Sequence, residues 1–414
     1  MSTAAPLSPD TDALRATAEA IFPGRSSGSY AVPPWMQDTV VAHGRGSRFY
    51  ATTGEGYLDY ILGSGPLILG HAHPRVVEAV REQAGQGSTF YALNEPIIRL
   101  GQTIVDAVPC AEQVMFASSG AEATYLALRL ARAATGRDLI LRFAGGYHGH
   151  HDYASTQSAG VPRAARDTVL TATFNDLASV ETQLAAHPGA VAAVIVEPLH
   201  RIVRPAPGFL ADLARVTRAA GALLIFDEVV TGFRLAWGGG QERYGVTPDL
   251  ATYGKIIGGG YPVSAICGRR DIMEQASPRR GGRPDYVFIS GTLSGNPVGA
   301  AAGLATLAEL RRPGAYGRLD EAGERLRRGF NDAAEEYALP LAMRGEGAVN
   351  GVVATEDGDD AALLPRLGRA LFERGIASNP GKVYVSLAHS DADLDETIRA
   401  YGAALSQVRR DLGR

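Results

Sequence analysis

The sequence predicts an α/β protein with a large domain, built on a mainly parallel sheet sandwiched by helices, and a smaller α+β domain. Three observations carry this. From about residue 60 to 290, apolar strand-like runs alternate with helical stretches, the rhythm of a sheet covered on both faces. From about residue 298 the pattern changes to long amphipathic helices with short strands between them. Apolar residues make up 45% of the 414 positions, enough for a real core. The expected domains are an N-terminal segment over 1–59 that joins the smaller domain, the large domain over 60–297, and the smaller domain over 298–414.

Taken in order, the first ~10 residues read as a mobile tail, and Asp12–Ile21 as a short amphipathic helix. Residues 25–34 are rich in Ser, Gly and Pro and read as loop. Residues 49–60 alternate and turn at Gly54-Glu55-Gly56, which predicts a hairpin. The strands expected in the large domain are Gln113–Ala117, Asp138–Phe143, Ala192–Val196, Ala222–Phe226, Leu250–Tyr253 and Ser264–Gly268. Ala121–Ala134 and Gly208–Ala220 are helical stretches between them. A final helix is expected over Asp391–Leu412.

Composition excludes several functions. A formal charge of −4 leaves no basic footprint for nucleic acid. Cys110 and Cys267 lie far apart in apolar contexts, so neither a disulfide framework nor a zinc spacing is present. The N-terminus lacks the basic and apolar regions of a secretory signal. No apolar run approaches the ~20 residues a membrane span needs. A cytoplasmic location is the expectation.

Only two lysines, Lys255 and Lys382, stand against 38 arginines. A Schiff base with an aldehyde needs a primary amine that can lose its proton, and a guanidinium cannot. Lys382 is read as a surface charge. Lys255 sits between the strand-like run 250–253 and the turn Gly258-Gly259-Gly260. Four other segments bear on the same chemistry. In Ala117-Ser118-Ser119-Gly120-Ala121-Glu122 a strand ends and a helix begins, which suits either an anion or an ordinary serine cap. Gly145-Gly146-Tyr147-His148-Gly149-His150-His151 follows another strand and offers an aromatic for a flat ring; its histidines match no standard zinc pattern. Leu223-Leu224-Ile225-Phe226-Asp227-Glu228 runs four apolar residues into two carboxylates at the carboxyl end of a strand, where open α/β sheets bind ligands. Helix caps or salt bridges are the ordinary alternative for that pair. Ser290-Gly291-Thr292-Leu293-Ser294-Gly295-Asn296-Pro297 is a polar turn with a hydroxyl that could reach a phosphate.

Together these segments resemble the class III aminotransferases among the fold-type I pyridoxal 5'-phosphate (PLP) enzymes, and within them the glutamate-1-semialdehyde aminomutase branch. The resemblance runs from about Pro23 to Tyr401. Besides the Asp227 and Lys255 segments it rests on Gly65-Pro66-Leu67-Ile68-Leu69-Gly70-His71-Ala72-His73-Pro74, on residues 291–297 and on Ser386-Leu387-Ala388-His389. It implies that Lys255 forms the Schiff base and shuttles the proton at the substrate Cα. Asp227 would pair with the pyridine nitrogen, an arrangement that makes the ring an electron sink. Ser119, Gly120 and Ala121 would hold the phosphate. Tyr147 and Val229 would take the two faces of the ring, with His148 in the cofactor set and Glu197 near the ring hydroxyl. Thr292 would reach the phosphate of the neighbouring subunit, which implies a homodimer with its active site at the interface.

Three departures from the aminomutase pattern all fall on substrate recognition. The aminomutases carry a Ser-Pro-Val-Arg stretch near the N-terminus, and residues 23–32 have no arginine in that register. Their Phe-Glu pair before Ser-Leu-Ala-His is replaced by Pro380-Gly381-Lys382. The loop after Asp152 also differs. The activity expected is therefore an aminotransferase working between an amino acid or amine donor and a keto or aldehyde acceptor. An intramolecular aminomutase and a non-catalytic PLP-fold protein are the alternatives. Arg201 and Arg204, after Glu197-Pro198-Leu199, could meet a substrate carboxylate or lie solvated at the surface.

Overall fold

A computed structural model of the chain describes residues 10–28, 32–355 and 358–413. The expected N-terminal tail lies outside these, as do Ser29, Tyr30 and Ala31 of the 23–32 stretch. The chain divides into two compact units. One comprises residues up to Ser64, Ile68–His73 and Gly317–Arg414; the other comprises Gly65–Leu67 and Pro74–Tyr316.

The second unit is built on a seven-stranded sheet. Its strands are β1 (Gln113–Ala117), β2 (Leu139–Phe143), β3 (Val169–Ala172), β4 (Val191–Val196), β5 (Leu223–Asp227), β6 (Leu250–Tyr253) and β7 (Ser264–Gly268), in the spatial order β1-β7-β6-β5-β4-β2-β3. All neighbouring pairs are parallel except those of β7, which runs antiparallel to both β1 and β6. β4 is buried at every position, as expected for a central strand covered on both faces. The six expected strands are present. β3 was not anticipated, because its four residues follow a polar stretch and lack a bounded apolar run.

Among the helices of this unit, α1 is Pro74–Gln86, α2 is Glu95–Ala107, α3 is Gly120–Thr135, α4 is Phe209–Ala219 and α5 is Pro297–Leu310. α3 buries Ala123, Ala127, Leu130 and Ala131 against Ile140, Ala193, Ile195 and Ile225. Those spacings of three and four place one small-residue stripe on the sheet. α3 stops at Gly136, whose φ of 64° is a left-handed cap that donates back to the Arg132 carbonyl. α5 belongs to this unit, so the unit changes after residue 316 and not at the expected 297/298. The reason is close packing: a Cβ on Gly303 would stand 2.0 Å from the Ile257 carbonyl oxygen. An Ala- and Gly-rich helix of this kind can lie directly on the segment that follows Lys255.

The first unit holds a four-stranded sheet ordered Val41–Arg45, Arg48–Ala51, Gly56–Asp59, Ile376–Ala377, and a three-stranded one ordered Leu341–Glu346, Val349–Ala354, Val383–Tyr384. The hairpin expected over 49–60 is the antiparallel pair Arg48–Ala51 with Gly56–Asp59. The helix Asp391–Asp411 opens on a capping box formed by Ser390 and Asp393. His389, just before it, is 1% exposed and stacks on Tyr60 at 4.3 Å between ring centroids. Its Nδ1 accepts from the Ser386 N–H at 3.0 Å. Burial holds its pKa down at about 4. The neutral ring is thus the folded form, so its stabilising share is complete above pH 6.5 and is lost as pH falls through 4. Denaturant unfolding of the wild type should lose roughly 3 kcal/mol more than His389→Gln between those two pH values. Parallel profiles for the two proteins would contradict this.

Among the described residues, no helix is long and apolar enough to cross a membrane.

Candidate active site

The carboxyl ends of β2, β4, β5 and β6, and the end of β1, release the loops that carry the expected site residues, all within the second unit. Asp227 is the last residue of β5 and is 4% exposed. Its Oδ2 accepts a 2.7 Å hydrogen bond from His148 Nδ1. Its Oδ1 accepts from the Val229 N–H and from Thr252 Oγ1, both at 3.1 Å. A buried carboxylate held by three donors keeps its orientation. Thr252 was missed in the sequence. It pairs with Asp227 across β5 and β6, and the signal for it was one hydroxyl inside the apolar run Leu250-Ala251-Thr252-Tyr253.

His148 is 2% exposed, and its Nε2 has no partner among the described residues. Its carbonyl accepts from Thr124 Oγ1 of α3 at 2.5 Å. The next residue, Gly149, lies so close to α3 that a Cβ there would stand 2.6 Å from that of Ala121. The Tyr147 ring is exposed, while its N–H donates to Glu197 Oε2 at 3.2 Å.

Three backbone segments converge on Val229. A Cβ on Gly120 would meet the Val229 methyl carbons at 3.0 and 3.1 Å. One on Gly254 would meet Val229 Cγ1 at 3.4 Å and the Gly120 Cα at 3.7 Å. Glycine at both positions lets the start of α3, the end of β5 and the end of β6 share one small volume. Lys255 follows with φ of 47°, a conformation few non-glycine residues adopt. It opens the short 3₁₀ turn Lys255–Gly258. Strain of this kind gathers where a side chain must be aimed.

Ser119 caps α3. Its Oγ accepts from the Glu122 N–H at 3.2 Å, and Glu122 Oε2 accepts from the N–H groups of Ser118 and Ser119. The ordinary cap is thus present. The N–H groups of Gly120 and Ala121, the first two helical residues, have no intrahelical acceptor and remain available to an anion.

The two adjacent carboxylates separate in role. Glu228 is fully buried and caps the short helix Gly239–Tyr244, accepting from Gly240 N–H at 2.8 Å and Gln241 N–H at 3.0 Å. Thr231 Oγ1 donates to it at 2.5 Å. Burial raises its pKa to about 7. Glu197 is 4% exposed at the end of β4, and burial raises its pKa too. Thr292 is exposed on the turn before α5. Among the described residues, no cluster of His, Cys, Asp or Glu has the makings of a metal site.

The model of the aminotransferase class-III family matches residues 30–405. The chain belongs to that family. It is 43% identical to the glutamate-1-semialdehyde 2,1-aminomutase of Roseiflexus castenholzii, over 96% of this chain and 98% of that protein. It superposes on an omega-transaminase from Sphaerobacter thermophilus with a TM-score of 0.90 at 33% identity, covering 97% of this chain and 98% of the other. A transaminase with PLP bound gives the same TM-score at 30% identity, covering 98% and 99%. The fold is that of the fold-type I enzymes, and the cofactor is pyridoxal 5'-phosphate.

Proposed function

We propose that this chain moves amino groups on small amino acids, with Lys255 as its reacting amine, and that it does so within one substrate, as an aminomutase. The convergence of Lys255, Asp227 and the start of α3 around Val229 carries the first part of this reading. The name of a relative that matches the chain over nearly its whole length supports the second.

The residues present fit the cofactor. The open N–H groups of Gly120 and Ala121 next to Ser119 suit a phosphate. Val229 and Tyr147 offer the two faces of a slot for a flat ring. The buried, triply bonded Asp227 suits a protonated ring nitrogen, with His148 positioning it. Glu197 lies beside Tyr147 for the ring hydroxyl side. Bound PLP supplies the electron sink that makes the substrate Cα–H acidic. Lys255 Nζ would take the proton from that carbon and deliver it to the cofactor side, the transfer that moving an amino group requires. The close approach of Gly120 and Gly254 to Val229 keeps this side of the slot narrow. In this reading Thr292, exposed with its neighbour Leu293, would reach the phosphate of a second copy, and the working form would be a cytoplasmic homodimer.

A second reading, a transaminase with a separate donor and acceptor, is favoured by the lack of an arginine in register within residues 23–32, by Pro380-Gly381-Lys382 and by the likeness to the omega-transaminase. Product analysis after incubating the holoenzyme with glutamate 1-semialdehyde alone separates the two. Isomerisation without any added donor is the result expected. Conversion of the cofactor spectrum by a single amino donor, reversed by a keto acid and without isomerisation, would establish the transaminase. A loaded enzyme that does neither would overturn both.

A further inference from the structure

A small turn follows Glu197. His200 and Val203 bridge as a two-residue hairpin, with N–H to carbonyl bonds of 3.0 and 2.9 Å in the two directions. The first central residue of that turn is Arg201, with φ of 61°. Glycine is the residue that takes this position without strain. An arginine held there has a reason outside the backbone.

The side-chain geometry supplies one. The guanidinium Nη1 stands 3.7 Å from Glu197 Oε1, too far for a hydrogen bond. None of its N–H groups hydrogen-bonds to a described residue. The side chain is 31% exposed while its carboxylate partner is 6% exposed. Glu197 is also committed elsewhere, because Oε2 takes the Tyr147 N–H. His200 Nδ1 lies 3.8 Å from that same oxygen, buried and without a partner among the described residues. The His200 ring is fixed, with Nε2 donating to the Ala144 carbonyl at 2.8 Å and its face on Phe174 at 4.6 Å. Burial raises the Glu197 pKa, while the His148 and Arg201 charges pull it down. A planar cation with unused paired donors beside the Tyr147 loop is a receptor for a carboxylate.

We propose that Arg201 binds the substrate carboxylate remote from the reacting amino group, and so determines that this enzyme acts on acids and not on simple amines. This rests on the function proposed above and gives Arg201 the part for which residues 23–32 hold no arginine in register.

The test uses glutarate, which carries no amino group and cannot react, titrated calorimetrically into the loaded enzyme. Wild type should bind glutarate more tightly than glutaramide. Arg201→Gln should weaken glutarate by roughly 10–100-fold, the worth of a charge-assisted hydrogen bond, and leave glutaramide unchanged. Arg201→Lys should fall between. Arg201→Gly should lose glutarate binding while keeping or raising the melting temperature, because it relieves the turn. A merely structural arginine would lower it. Equal glutarate binding by wild type and Arg201→Gln, or none by a cofactor-loaded wild type, would overturn the proposal. Failure of the enzyme to hold cofactor at all would instead sink the function on which it rests.

Discussion

Lys255→Ala should fold, take up cofactor without covalent attachment, and lose amino transfer by at least roughly 10²–10⁴-fold, the range for removing a general base. The loss should appear in kcat with little change in KM, because the lysine acts on the proton and not on substrate affinity. The argument begins in the backbone. Lys255 holds a positive φ directly after Gly254, at the mouth where α3, β5 and β6 meet. Alanine tolerates that conformation no worse than lysine, so stability should not fall. Lys255→Arg should be as inactive as the alanine variant, since guanidinium keeps its proton. Rapid-mixing measurement of the cofactor absorption after addition of substrate checks both variants. Activity within ten-fold of wild type in either one would contradict the assignment.

Asp227→Asn should also fold, with kcat reduced by roughly 10²–10³-fold, as for loss of one preorganised electrostatic partner. The substitution isolates charge from shape. The remaining oxygen can still accept from the Val229 N–H and Thr252 Oγ1, and the new amide can donate to His148 Nδ1 once that ring changes tautomer. What would disappear is the negative charge proposed to keep the ring nitrogen protonated. Steady-state kinetics with a thermal melt checks this. A variant that melts like wild type and turns over at a similar rate would mean that Asp227 is only structural.

The sheet and the site were legible to different degrees, for physical reasons. Strands β5 and β6 announced themselves because buried parallel strands are continuous apolar runs, and any carboxylate or amine at their carboxyl ends stands out. Lys255 stood out because the chain holds so few lysines. β3 and Thr252 were not, since a four-residue strand and one buried hydroxyl leave no period to read. The unit boundary was misplaced because α5 is Ala- and Gly-rich on all sides and carries no sharp polar face. Its attachment depends on close contact at Gly303, which no periodicity encodes. The Asp227–Glu228 pair illustrates the limit of motif reading. One carboxylate faces His148 and the other caps a helix, and only the three-dimensional partners separate them. Arg201 is the reverse case: its residue type was noticed, but its strained turn and its unused donors became visible only in the fold.

The most direct test of the Lys255 assignment is borohydride reduction of the holoenzyme followed by peptide mass spectrometry. With two lysines in the whole chain, the answer is unambiguous. A single pyridoxyl mass addition on the peptide containing Lys255, with Lys382 unmodified, is the result expected. Labelling at Lys382, or no labelling of a cofactor-loaded protein, would contradict the claim that Lys255 is the amine around which this site is built.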